Sequence, residues 1–228
     1  MSTIKVVEVI DRVEIILQDS NLRWPRLELQ QWLNDSYFEI TKIRPDANTK
    51  SASLTCVAGT RQKLATLFPS GLRLIDVVRN MAVTSNLSSI RQIDRRLLDD
   101  QRPGWHAETG SLNIQHFVFN PELPKEFFVY PPALVTTIIE IVYADTPTLH
   151  ALAEAALAPD SGDTTVISMD DIYLSSIIDF ILYRSYLKDA DYAANDQRAA
   201  GAYQVFKNGL GDKTQSDAAV TKTPNPVT

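Results

Sequence analysis

The sequence predicts an α+β protein with three parts. Helices from both ends of the chain form an antiparallel bundle, a β-rich domain is inserted between them, and an extended tail closes the C-terminus. Three observations carry this. Apolar residues recur at steps of three and four near both ends of the chain, which is the helical period. The middle breaks into short β-branched and aromatic runs separated by Gly, Pro and Asn. From Lys207 to Thr228 the only sizeable apolar side chains are Leu210, Val220 and Val227.

The first helix is predicted over Ile4 to Gln18, where Val6, Ile10, Val13 and Leu17 make one stripe. Asp19-Ser-Asn-Leu-Arg is a turn. Pro25 suits the first turn of a second helix, because the N–H it lacks has no intrahelical partner there. Leu29, Trp32, Leu33, Ile40 and Ile43 give that helix an apolar face, and Pro45 stops it. A loop this short predicts an antiparallel hairpin.

Strands are predicted at Ser53–Val57, Leu72–Arg79, Leu112–Phe119, Phe127–Tyr130 and Thr137–Tyr143. Ile90 to Asp100 is predicted helical, since Arg95–Asp99 and Arg96–Asp100 have the spacing of helix-surface pairs. Ser168 with Asp171 resembles a capping box, so a helix is expected from there, burying Ile172, Leu174, Ile178, Ile181 and Leu182. Asp191 to Phe206 continues helical, as one long kinked helix or as a second one. The expected parts are a helical bundle of 1–49 and 168–207, a β-rich insertion of 50–167, and a tail of 208–228.

At 44% hydrophobic residues the 228-residue chain can bury a real core. A net charge of −6 argues against gripping nucleic acid through a basic surface. The single Cys56 cannot form an internal disulfide, which fits a reducing cytoplasm. Charges at Glu8, Asp11, Arg12 and Glu14 are unlike a signal peptide. The apolar run Ala133 to Ala144 contains Glu140 and is too short to span a bilayer, so a soluble protein with no membrane partner is expected.

No P-loop, Gly-x-Ser-x-Gly elbow or His-Glu-x-x-His occurs in the chain. A metal site from His106, Glu108 and His116 would have to meet tetrahedral geometry, and isolated histidines explain them more simply. Asp160, Asp163, Asp170 and Asp171 lack the EF-hand ligand order and fit a helix start beside a solvated loop. Cys56, in an apolar strand, reads as a small buried hydrophobe. Arg91, Arg95, Arg96 and Arg102 interleave with Asp94, Asp99 and Asp100 as a mixed charged face. Trp105 suits either an interface anchor or a core plug. No cofactor, metal or catalytic residue is expected.

The segment Asp179 to Phe206 differs in texture. Tyr183, Tyr186, Tyr192 and Tyr203 accompany Arg184 and Lys188, with Asp179, Asp189 and Asp191 beside them. Tyrosine and arginine are favoured interface anchors, so a subunit interface is expected at Tyr183, Arg184, Tyr186 and Lys188.

An ordered series of short motifs then stands out: Arg23-Trp24-Pro25, Gly59-Thr60-Arg61-Gln62, Pro103-Gly104-Trp105-His106, Phe119-Asn120-Pro121, Phe127 to Pro132, and Tyr183-Arg184-Ser185-Tyr186 with Lys188-Asp189-Ala190. The series resembles the head-to-tail adaptor, or connector, proteins of short-tailed bacteriophages, which are similar to tail tubular protein A. The resemblance implies a virion structural protein at the head–tail junction, made in the host cytoplasm. It implies a homo-oligomeric ring, usually of twelve subunits, between the portal protein and the tail nozzle protein, with docking sites for tail fibres. Double-stranded DNA would pass through the channel without sequence-specific binding, and an acidic wall suits that because it cannot neutralise phosphates. In connectors of similar architecture the C-terminal segment inserts into the portal. Leu210, Val220, Thr221, Thr223 and Val227 are therefore expected to dock there, from a tail disordered in the free subunit. The alternatives are a tail terminator or stopper protein and a small metal-dependent enzyme.

Overall fold

The computed structural model describes residues 2–19, 21–81, 87–189 and 193–220, with backbone only at 193 and over 212–220. The chain divides into two compact units, Met1–Arg44 with Pro147–Thr228, and Pro45–Thr146. Six α-helices and two sheets among the described residues make it an α+β protein, as the alternation of periods predicts.

The first unit holds α1 (Val6–Leu17), α2 (Arg26–Ile43), the one-turn α4 (Glu154–Leu157), α5 (Leu174–Lys188) and α6 (Ala193–Val220). Val6, Ile10 and Val13 of α1 and Leu29, Leu33 and Ile40 of α2 are fully buried, so the helical stripes face a core, although Ile43, expected on the same face, is 42% exposed at the end of α2. Between the two helices, Asp19 Oδ2 accepts from the N–H groups of Leu22, Arg23 and Trp24, at 3.1–3.2 Å, and fixes the turn. The Trp24 indole reaches the carbonyl of Ser185 at 3.1 Å, and α5 packs on α1, α2 and α6. The N-terminal residues pair with 165–167: Val6 N–H donates to Thr165 and Ile167 N–H to Ile4, both at 2.9 Å.

The second unit contains β1 (Thr49–Thr55), β2 (Gly59–Lys63), β3 (Gly71–Asn80), β4 (Arg91–Gln92), α3 (Arg95–Gln101), β5 (His116–Phe119), β6 (Glu126–Ala133) and β7 (Ile138–Asp145). One sheet runs β1-β7-β3 and the other β2-β6-β5-β4. Leu54, Leu74, Val77, Ile139, Ile141 and Tyr143 of the first sheet meet Phe117, Phe127 and Val129 of the second in one core. Neighbouring residues on β5 and β6 point the other way. Val118, Phe128 and Tyr130 form a second cluster with Leu98 of α3 and Trp105. The second sheet is thus covered on both faces, which is why Phe127 to Tyr130 reads as an unbroken apolar run.

Several elements differ from expectation. β2 is absent from the sequence prediction because its inward residues are polar. Gln62, 1% exposed, bonds both backbone groups of Val57 and the carbonyl of Gly59, so hydrogen bonds take the place of apolar alternation. The helix expected over Ile90–Asp100 begins at Arg95. Asp94 caps it by accepting from Arg96 N–H at 2.8 Å, and Arg91–Gln92 instead pair with β5. The Ser168–Asp171 capping box does not form. Ser168 Oγ donates to the carbonyl of Thr148, while Asp170 caps a 3₁₀ turn over Asp171–Tyr173 that leads into α5. Ile172, expected inside, is 61% exposed, and Tyr173 is buried in its place.

Residues 147–167, expected in the β-rich insertion, lie in the unit of the helices. The tail from 208, expected extended, is helical as far as Val220, and 221–228 lie outside the described residues. Gly209 and Gly211 each cost a helix about 1 kcal/mol relative to Ala. Burial of Leu210, only 1% exposed, works against that cost.

Candidate functional site

The four residues expected at a subunit interface lie along α5 and all have partners within their own unit. The Tyr183 ring is 5.8 Å from Phe180 and 4.8 Å from Tyr203 of α6, and Phe206 closes the cluster at 5.3 Å from Phe180. Arg184 Nη2 lies 3.2 Å from Asp35 on α2, with its guanidinium 5.7 Å from the Phe180 ring centre. Tyr186 is half-buried under the guanidinium of Arg198, at 6.0 Å. Lys188 Nζ contacts Glu28 at 2.5 Å and the carbonyl of Arg23 at 3.3 Å, while Asp189 pairs with Arg23. Pairs this exposed are worth at most about 1 kcal/mol. The Arg184 and Lys188 side chains remain 39% and 43% exposed. Leu210 is taken up in the fold of its own unit. Val220 is the last residue of α6. Thr221, Thr223 and Val227 lie outside the described residues.

A polar ladder on α2 escaped the sequence reading. Arg26, Gln30, Asn34 and Tyr37 follow at steps of four, four and three, so they share one helix face. Arg26 Nη1 donates to the carbonyl of Leu157 at 2.5 Å. The Gln30 amide takes both backbone groups of Leu152, at 2.9 and 3.4 Å. The Asn34 amide does the same for His150, at 2.8 and 2.9 Å. Residues 150 and 152 alternate along extended chain, so the two amides act as a neighbouring strand would. The Tyr37 hydroxyl accepts from Ser168 N–H at 3.1 Å and meets His150 Nε2 at 3.0 Å. This face therefore clamps the chain returning from β7 against α2. The regular spacing was visible in the sequence, but a polar stripe on a helix ordinarily signals solvent.

His150 is buried edge-on to Tyr37, and burial holds its pKa below the usual histidine value. The folded state therefore takes up this proton less readily than the unfolded chain. The stabilisation is complete above about pH 6.5, the ordinary histidine pKa, and is lost as pH falls below it. The melting temperature of the wild type is expected to drop between about pH 7 and about pH 5 more steeply than that of His150→Gln. Parallel profiles for the two proteins would show that His150 is not the group responsible.

An open cleft of about 800 Å³ lies beside α1, lined by Asp11, Glu14, Asp19, Arg26 and Glu154 among others. Among the described residues that line it, the one guanidinium is already engaged. Arg26, 5% exposed, is bound by Glu14 through both its Nε and Nη2 and by Asp11 at 2.6 Å. The cleft is therefore acidic, and its described residues offer no free cation to an anionic ligand. Cys56 is buried, which pushes its thiol up to about 12, far from a reactive thiolate.

His106 bonds Thr60 at 2.8 Å and stacks on Trp105, Glu108 accepts from the Tyr130 hydroxyl at 3.1 Å, and His116 stacks on Tyr130. Among the described residues no group of three or more His, Cys, Asp and Glu is placed to hold a metal ion. Asp163 and Asp170 are likewise occupied by local bonds, to Thr165 and Ile172, and Asp171 by bonds to Ser2 and Thr3 at the other end of the chain.

Among the described residues the geometry offers packed aromatic and charged surfaces. The family model described as SU10 adaptor protein matches residues 4–227, nearly the whole chain. The chain belongs to the SU10 adaptor protein family. No curated protein matches it. Membership agrees with the resemblance to phage head-to-tail adaptors drawn from Arg23-Trp24-Pro25 through Lys188-Asp189-Ala190. The SU10 adaptor family is one of phage structural proteins, and membership makes this adaptor a virion component. Among its described residues no helix is long and apolar enough to cross a membrane.

Proposed function

We propose that this adaptor forms a ring, of about twelve subunits as connectors of this kind usually do, between the portal and the tail nozzle. The ring extends the channel through which double-stranded DNA passes, without sequence-specific contact, and offers tail fibres a docking surface. The observation that carries this is the family match over 4–227. α1, α2, α5 and α6 act as an antiparallel bundle carrying the ring contacts. The outer edges of Tyr183, Arg184, Tyr186 and Lys188 meet the neighbouring subunit, and Val220, Thr221, Thr223 and Val227 meet the portal. Two further features support an assembly role. Ile15 and Leu22 are 75% and 88% exposed, apolar surface of the kind that marks contact sites. The net charge of −6 suits a wall along which DNA slides.

Truncation tests the portal contact. Because Leu210 is buried, the informative deletion removes only 221–228. The truncated protein is expected to melt like the full chain, yet to fail to attach to portal-bearing heads. Normal attachment would refute portal docking by this segment. A full-length protein that forms no ring, alone or on heads, would refute the ring.

A further inference from the structure

Strand β1 is the outer strand of its sheet, with an unbroken antiparallel register to β7 from Thr49↔Ala144 to Thr55↔Ile138. Two bonds set the phase of that ladder. Cys56 N–H donates to the carbonyl of Thr137 at 2.8 Å, just beyond the last pair, and Met81 N–H reaches the carbonyl of Ile138 from the opposite side at 2.8 Å. Hydrogen-bonded and non-bonded pairs alternate in an antiparallel ladder, so Lys50, Ala52 and Leu54 aim their backbone groups at β7. Thr49, Ser51, Ser53 and Thr55 aim theirs outward. All four are exposed. Among the described residues no backbone bond outside the ladder reaches Ser51, Ser53 or Thr55.

Natural edge strands are normally guarded by proline, a bulge or an inward charge. β1 has neither proline nor bulge. Its sequence, Thr-Lys-Ser-Ala-Ser-Leu-Thr, contains no proline, its register has no shift, and its one charge, Lys50, is tied to Asp145 of its own sheet at 2.6 Å. The opposite edge of the same sheet is treated differently. β3 carries three register shifts, and Ile90 N–H bonds the carbonyl of Val78 at 3.1 Å.

The exposed edge is also palindromic. Thr49, Ser51, Ser53 and Thr55 read the same in both directions about Ala52. A two-fold axis through Ala52 would set Thr49 opposite Thr55 and Ser51 opposite Ser53, each as a hydrogen-bonded pair. Lys50 would face Leu54, so no like charges meet.

We propose that the β1 edge is a self-docking site, at which a second copy of the chain adds its own β1 antiparallel about Ala52. The two three-stranded sheets then become one of six strands, and each copy blunts the other's open edge. This contact is isologous, uses no residue of α5, α6 or the C-terminal segment, and stands apart from the proposed ring. A single pair of strands buries less than the roughly 1,000 Å² of a stable interface, so the dimer is reversible and populated by concentration.

Sedimentation of the full chain, from low micromolar to near-millimolar concentration, tests this. The weight-average mass of the wild type is expected to double across the series. Ser53→Pro removes an outward N–H that the subunit's own sheet does not use, so it should stay monomeric throughout with unchanged circular dichroism. Ser51→Lys combined with Ser53→Lys sets like charges opposite one another without altering the backbone. It should lose the dimer equally, and it decides the matter if the proline variant fails to fold. A wild type that stays monomeric, or that passes directly to a larger ring with no dimer, overturns the proposal, as does a dimer that survives the lysine pair. Attachment to heads is read separately and does not depend on this result.

Discussion

Replacing Trp105 by Ala is expected to destabilise the β-rich unit by about 3–5 kcal/mol, the cost of emptying a large buried aromatic site. Trp105 is fully buried. Its ring packs edge-on to Phe128 and Tyr130, at 6.1 and 6.4 Å, and Leu98 and Val118 complete the cluster. These side chains come from α3, β5 and β6, so the indole joins a helix to a sheet face that would otherwise be wet. Its N–H donates to Asp99 at 2.9 Å, but that carboxylate is 44% exposed and water can replace the bond. The loss therefore comes mainly from the cavity, and Trp105→Phe should cost distinctly less than Trp105→Ala. Denaturant titration followed by tyrosine fluorescence and circular dichroism would measure both. Because the chain has two units, the transitions should be fitted separately. A change under about 0.5 kcal/mol, the scale of surface substitutions, would mean that the indole does not hold α3 against the sheet.

The second large effect is expected at Arg26. Breaking a buried ion pair by removing one partner typically costs about 3–5 kcal/mol, because the remaining charge is stranded. Arg26→Met removes the guanidinium that holds Glu14, Asp11 and the carbonyl of Leu157 together. The Glu14 side chain is only 13% exposed, whereas that of Asp11 is 39% exposed, so Glu14 bears most of the penalty and Asp11 is relieved by solvent. Glu14→Gln in the Arg26→Met background should recover part of the lost stability. If the double variant is no more stable than the single one, the loss is one of packing and the charge argument fails.

Helix α1 was legible in the sequence because Val6, Ile10 and Val13 repeat the helical period, and a stripe of that kind has one stable use. Tyr183-Arg184-Ser185-Tyr186 was legible in a narrower sense. Composition marked it as a contact surface, and the structure shows Tyr183 against Phe180 and Tyr203 and Arg184 against Asp35 within one subunit. An aromatic side chain looks the same in sequence whether it meets α6 or a neighbouring copy.

The α+β class, the position of most helices and strands, and the family all follow from local pattern: period, turn residues, and an ordered series of short motifs. The rest depends on partners distant along the chain. Asn34 is a polar residue on a packed helix face, and only the fold brings His150, 116 residues further on, to satisfy it. Leu210 makes a helix of a segment whose composition reads as tail, because burying it outweighs two glycines. The open edge of β1 belongs here as well. The sequence places this strand at Ser53–Val57 and the structure at Thr49–Thr55, and which of its backbone groups lack a partner is set by β7, some ninety residues further on. Hydrophobic period is a property of neighbours in sequence, whereas hydrogen-bond satisfaction is a property of neighbours in space.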